Sequence, residues 1–159
     1  MDQLTIHPTA VVCRGAVLKG NVTIGPGTVV HPTATIVAEG DTAIDIGRDN
    51  MIEEQTVLRT SAENGSGTMM IIGDNNVFEI GAGAFAGTTP AAVVALVHLH
   101  DSTTTMLSTA HSELEDHTIV YGPRNETRVD PVHIQPETFK EELKLLQESL
   151  GKYHPMIQP

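Results

Sequence analysis

Starting at Ile6 and stepping six residues at a time, the chain places Ile6, Val12, Leu18, Ile24, Val30 and Ile36 in one phase, an unbroken run of aliphatic side chains. A period of six belongs neither to a helix, whose period is 3.6, nor to an ordinary strand, whose period is two. It belongs to a coil in which short flat segments alternate with corners. Four residues after each of the first five positions stands a small or β-branched residue, namely Ala10, Ala16, Val22, Thr28 and Ala34. Such residues suit a chain that bends tightly beside a packed aliphatic. The clearest copy is Ile24-Gly25-Pro26-Gly27-Thr28-Val29, where Pro26-Gly27 supplies the turn. Asn21 and Asn50 are expected at left-handed corner positions, which asparagine tolerates.

Three hexads close one triangular turn of about 18 residues, and the aliphatic side chains of successive turns stack in files along the axis. The fold expected is all-β: a single-stranded left-handed parallel β-helix with a C-terminal α-helix packed along it. The pattern returns in Ile46-Gly47-Arg48-Asp49-Asn50-Met51, in Ile52-Glu53-Glu54-Gln55-Thr56-Val57, and in Ile72-Gly73-Asp74-Asn75-Asn76-Val77 with Phe78. Phe78 is the one aromatic on the aliphatic phase and is expected inside the coil. Residues 1–135 are read as the β-helix, with loops thrown out at about 37–45 and 59–70. An irregular segment spans 82–113, where the phase positions read Ala84 and Pro90. Two last hexads, from Leu114 onward, are expected to close the coil before Pro123.

Past Pro136 the period changes. Phe139, Leu143, Leu146 and Leu150 fall at helical spacing, acidic residues stand near the start, and Gly151 follows the last apolar position. These signals predict an amphipathic helix over 136–151 and a tail over 152–159.

Composition narrows the functions. The formal net charge of −11, from 20 acidic against nine basic side chains, leaves no surface attractive to nucleic acid or an anionic membrane. The apolar run at 91–97 falls well short of the roughly 20 residues a membrane helix needs. One cysteine, Cys13, forms no internal disulfide, and the first residues carry no signal-peptide pattern, so a cytosolic location is expected and the Asn-x-Ser/Thr sequons carry little weight.

The stretch from Val22 through Pro32, the block Ile52-Glu53-Glu54-Gln55, the pair Met70-Ile71-Ile72-Gly73 and Asn75-Asn76-Val77-Phe78-Glu79, and Thr118-Ile119-Val120-Tyr121-Gly122 together resemble the dynactin subunit 6 family. The resemblance covers about residues 6–81 and 114–155, and the segment 82–113 departs from it. It implies a non-enzymatic subunit of the dynactin pointed-end complex, found in the cytoplasm with the cytoskeleton. Such a subunit is paired with a second β-helical subunit, supports dynein-driven transport and cargo attachment, and carries no cofactor.

Hexapeptide coils also build γ-class carbonic anhydrases and acyltransferases, so the fold alone does not choose. A zinc site needs three converging histidines, and His98, His100, His111 and His117 are the candidates if zinc is present. The competing reading is that they are surface side chains in an irregular segment. His7 and His31, each before a proline, are expected in exposed turns. An acyltransferase needs a catalytic histidine at a subunit interface, and none of the eight stands out. Cys13 lacks an identifiable activating partner and reads as a buried or corner thiol. The Ile52-Glu53-Glu54-Gln55 block is either a binding edge or a solvated face of the coil.

Overall fold

A computed structural model describes residues 3–61, 69–86, 91–94, 97–100, 106–109, 118–121, 126–129, 137–153 and 156–157. Three short strands make each turn. The first turn holds β1 (Gln3–Ile6), β2 (Val11–Val12) and β3 (Val17–Lys19), and the second β4 (Asn21–Ile24), β5 (Val29–Val30) and β6 (Thr35–Ala38). The third holds β7 (Ala43–Ile46), β8 (Met51–Ile52) and β9 (Val57–Thr60), and the fourth β10 (Met69–Ile72), β11 (Val77–Phe78) and β12 (Gly83–Ala86). Then come β13 (Ala91–Val94), β14 (Val97–His100), β15 (Met106–Thr109), β16 (Thr118–Tyr121), β17 (Glu126–Val129) and the helix α1 (Glu137–Tyr153).

From β1 to β15 every third strand joins the same sheet, and β16 and β17 extend the second, giving the orders β1-β4-β7-β10-β13, β17-β16-β14-β11-β8-β5-β2 and β15-β12-β9-β6-β3. All pairings between turns are parallel. Among the described strands, β17 alone runs back, antiparallel to β16. The chain is a left-handed parallel β-helix with one helix along its side.

Register makes the core. Ile6, Ile24, Ile46 and Ile72 are aligned partners in successive turns of the first sheet. Val12, Val30, Ile52 and Phe78 are aligned in the second, and Ile36, Leu58 and Ala84 in the third. All of these side chains point inward into one buried cluster. Phe78 is fully buried, and its turn balances that large ring with Ala82, Ala84 and Ala86. A close-packed interior of fixed cross-section demands such compensation.

The outside of the second sheet carries an apolar file of its own. Cys13, Val29, Met51 and Val77 cluster there with Phe139, Leu143 and Leu150, while Val11 and Leu146 pack at the margin. The helical stripe read from the sequence therefore lies on this outward file. The Gln147 side-chain amide donates to Gly27 O at 2.6 Å, pinning the helix to a corner.

Several expectations need correction. The range 37–45 is no ejected loop: it includes the end of β6 and most of β7, and only the corner at 39–42 is inserted. Gly40 turns that corner with a φ of +63°, and Thr42 Oγ1 donates to Glu39 O at 2.8 Å. Likewise 59–60 and 69–70 belong to β9 and β10, while 62–68 lie outside the described residues. The backbone of 82–113 carries β12 to β15 in ladder register with the preceding turns. Backbone pairing between turns holds these strands in the coil even where the side chains lose the aliphatic phase.

Left-handed backbone sits one residue earlier than expected at both asparagines, at Gly20 (φ +83°) and Asp49 (φ +53°) rather than Asn21 and Asn50. Asn50 is buried instead, and its Oδ1 accepts from the backbone and side-chain N–H of Asn76 at 2.8 and 2.9 Å. The helix continues through Gly151 to Tyr153, and the nominal tail contributes Met156, which bridges antiparallel to Cys13.

Two substitutions test this account. Phe78→Ala is expected to lower unfolding free energy by about 3–5 kcal/mol in chemical denaturation, the usual cost of an emptied aromatic site. Gly20→Ala places a Cβ 1.9 Å from Ala38 O, whereas Gly81, also left-handed, has nothing within 4 Å of that position. Gly81→Ala is expected to cost only the left-handed strain of about 1–2 kcal/mol. Gly20→Ala must cost clearly more in the same assay.

Candidate functional site

Among the described residues the inward side chains pack into one core cluster, so the outward corners, faces and ends are where reactive side chains are sought. The corner after the second sheet is the richest in reactive side chains. Cys13, His31, Glu53 and Glu79 each follow an aligned core position, which brings them into one file, one per turn.

His31 is 9% exposed, against the expectation of an open turn residue. The stacking of corners buries it, and its Nδ1 lies 3.0 Å from Glu54 Oε1. The Glu53 carboxylate accepts from Ile80 N at 3.0 Å, tying this corner to the next turn. Burial pushes the Glu53 carboxyl up from its ordinary 4.5; the Ile80 amide opposes this, Glu79 adds to it, His31 opposes it and Glu54 adds to it. Gln55 turns the chain with a φ of +61°. The Ile52-Glu53-Glu54-Gln55 block is thus a structural corner: Ile52 is in the core, both carboxylates are engaged and Gln55 is exposed.

Cys13 is fully buried, and burial together with the nearby Glu54 charge raises its thiol pKa. A thiol in that setting is a poor nucleophile. His7 is exposed, with Nδ1 2.9 Å from Thr9 Oγ1. The backbone of His98 and His100 lies on β14, His98 beside Val77 and His100 beside Tyr121. His111 and His117 lie outside the described residues. Among the described residues there is no group of three or more His, Cys, Asp or Glu that could hold a metal ion. Among the described residues no helix is long and apolar enough to cross a membrane.

The faces differ in character. The second sheet is covered by α1 from β2 to β11. The first begins polar, with Gln3, Thr5 and Asn21 exposed, and becomes apolar at Met69 and Ile71. The third presents Val17, 42% exposed, with half-buried Val37, Val57 and Phe85. The Arg59–Glu39 ion pair crosses that face. An apolar sheet surface edged by charge is suited to docking another protein. Sequence reasoning gave no weight to this surface, because its residues alternate with the core positions and vary from turn to turn.

Comparison with known proteins gives a consistent neighbourhood. The chain is 33% identical over 97% of its length to dynactin subunit 6 of Xenopus tropicalis, covering 84% of that protein. It is 31% identical over 97% of its length to dynactin subunit 6 of Nematostella vectensis, covering 92% of that protein. A solved structure of a putative acetyltransferase from Bacillus cereus superposes with a TM-score of 0.58 at 9% identity, over 96% of this chain and 92% of that one. At that identity the likeness concerns the fold alone. No family model matches the chain.

The Glu53 corner yields a pH prediction. A carboxyl whose folded pKa is raised binds its proton more tightly in the folded state, so its contribution to stability is full at low pH and is lost as pH rises through the folded pKa. Glu53→Gln removes that dependence and keeps an acceptor for Ile80 N. The variant's thermal midpoint is expected to match the parent's below pH 4.5 and to exceed it as pH rises above that value, levelling off once the parent's carboxyl is ionised. A constant difference across that range would contradict the assignment.

Proposed function

The chain belongs to the dynactin subunit 6 family, and from that membership we propose that it serves as a non-catalytic structural subunit of the dynactin complex. The observation that carries this reading is similarity sustained along almost the whole chain to relatives of that one name, rather than along a few hexads that any coil of this class would share.

The coil acts as a rigid rod whose uncovered surface docks a second β-helical subunit of the pointed-end subcomplex. The assembly works in the cytoplasm with the cytoskeleton and supports dynein-driven transport and cargo attachment. The physical features of the chain agree with this role. Its apolar third-sheet face offers docking area, the Cys13 thiol is buried, and the Glu53 carboxylate and His31 Nδ1 bond within the coil. The acidic balance favours a protein partner over nucleic acid.

Co-expression with a second β-helical pointed-end subunit is expected to give a 1:1 complex by size exclusion with light scattering, with no stoichiometric zinc by elemental analysis. A homotrimer loaded with zinc would overturn the proposal and favour an enzyme of the γ-carbonic-anhydrase type.

A further inference from the structure

The two ends of a parallel coil are its weak points, since the terminal strands have neighbours on one side only. At the N-terminal end the second sheet terminates in β2. The chain returns to that edge from far along the sequence: Ile157 N donates to Val12 O at 2.8 Å, and Met156 pairs antiparallel with Cys13.

The two returning residues serve different clusters. Met156 packs with the apolar file beneath α1, alongside Val11, Cys13 and Leu150. Ile157 packs against the inner core with Ala10 and Leu18. Successive side chains of a strand point to opposite faces, so this division is the signature of a short strand laid along the edge. α1 delivers it there, because the helix lies on the sheet that ends in β2.

We propose that Met156–Ile157 is a strap that guards the N-terminal end of the coil, and that its competitor for the β2 edge is a second copy of this chain. With the strap in place, the Val12 carbonyl is satisfied and the apolar end of the core is shielded on that side. With the strap displaced, the β2 edges of two copies pair antiparallel about a twofold axis, and the exposed ends of the two cores bury one another. The inner-file residue Leu4, 41% exposed, belongs to the core end that such pairing would cover. Antiparallel pairing about a twofold needs no new element, because the same edge serves both partners. The inference stands apart from the dynactin reading, since it concerns how the chain avoids itself.

The test compares the purified full chain with Ile157→Pro, which removes the donating N–H, with a truncation after Tyr153, and with Ile157→Val, which keeps both donor and apolar contact. Mass is read by size exclusion with light scattering over a series of micromolar concentrations, and folding by far-ultraviolet circular dichroism. Ile157→Pro and the truncation are expected to stay folded and to show about double the mass of the full chain, while Ile157→Val keeps the full-chain mass. Folded variants with unchanged mass at every concentration would overturn the proposal. Unfolding of both variants would overturn it as well, because the segment would then be a folding element and not a guard.

Discussion

The hydrogen-bonded register between one turn of the coil and the next governs everything else in this molecule. Because Gln3 lies beside Asn21, Asn21 beside Ala43, and Ala43 beside Met69, each side chain sits over the residue of the same phase in the turn below. A slip of one residue would exchange inside for outside along a whole strand. Each aliphatic held inside contributes roughly 1.5–3 kcal/mol by leaving water. Many small contributions of one kind, repeated turn after turn, thus fix the register without a large aromatic core.

Register alone would not make corners, and here the polar groups matter. Thr28 Oγ1 donates to Gly47 O at 2.8 Å and accepts from Asn50 N at 3.2 Å. Asn50 in turn receives Asn76 through both of that residue's N–H groups. The result is a buried ladder of one polar residue per turn, each satisfying a backbone group that a tight bend would otherwise leave unpaired. The left-handed residues Gly27, Asp49 and Asn75 precede this ladder in consecutive turns, so conformation and hydrogen bonding repeat together. Only one of those three is glycine. Asp49 and Asn75 tolerate the left-handed region for the reason short polar side chains generally do.

The inward half of this design is visible in the sequence because it repeats. Ile6, Val12, Leu18, Ile24, Val30 and Ile36 share one six-residue phase, and α1 announces itself when the spacing of Phe139, Leu143, Leu146 and Leu150 changes period. What did not repeat was harder to read. The inserted corner at 39–42 breaks the count of six, so the hexad phase hides the end of β6 and most of β7 although their side chains keep the pattern. In 82–113 the aliphatic phase fails while the backbone ladder continues, and a reading by side-chain pattern sees only the failure. The proline after His31 signals an exposed turn; its burial comes from the file it shares with Cys13 and Glu53 in adjacent turns, positions far away in the chain. The strap at Met156 and Ile157 left no signal, since two residues are too few to show a period.

These differences bear on what the protein can do. Repetition consumes the inward positions, and nearly all that distinguishes one coil of this class from another is written on the outward ones. In this chain the three outward faces have diverged: the second is covered by its own helix from β2 to β11, the first shifts from polar to apolar along the axis, and the third keeps Val17, Val57 and Phe85 accessible beside a charge pair. The result is a coil with one face partly covered by its own helix and two unlike faces open. Its asymmetry arises from α1 and the strap, elements outside the repeat, so the part of the chain that departs most from the hexads does most to decide how the hexads are used.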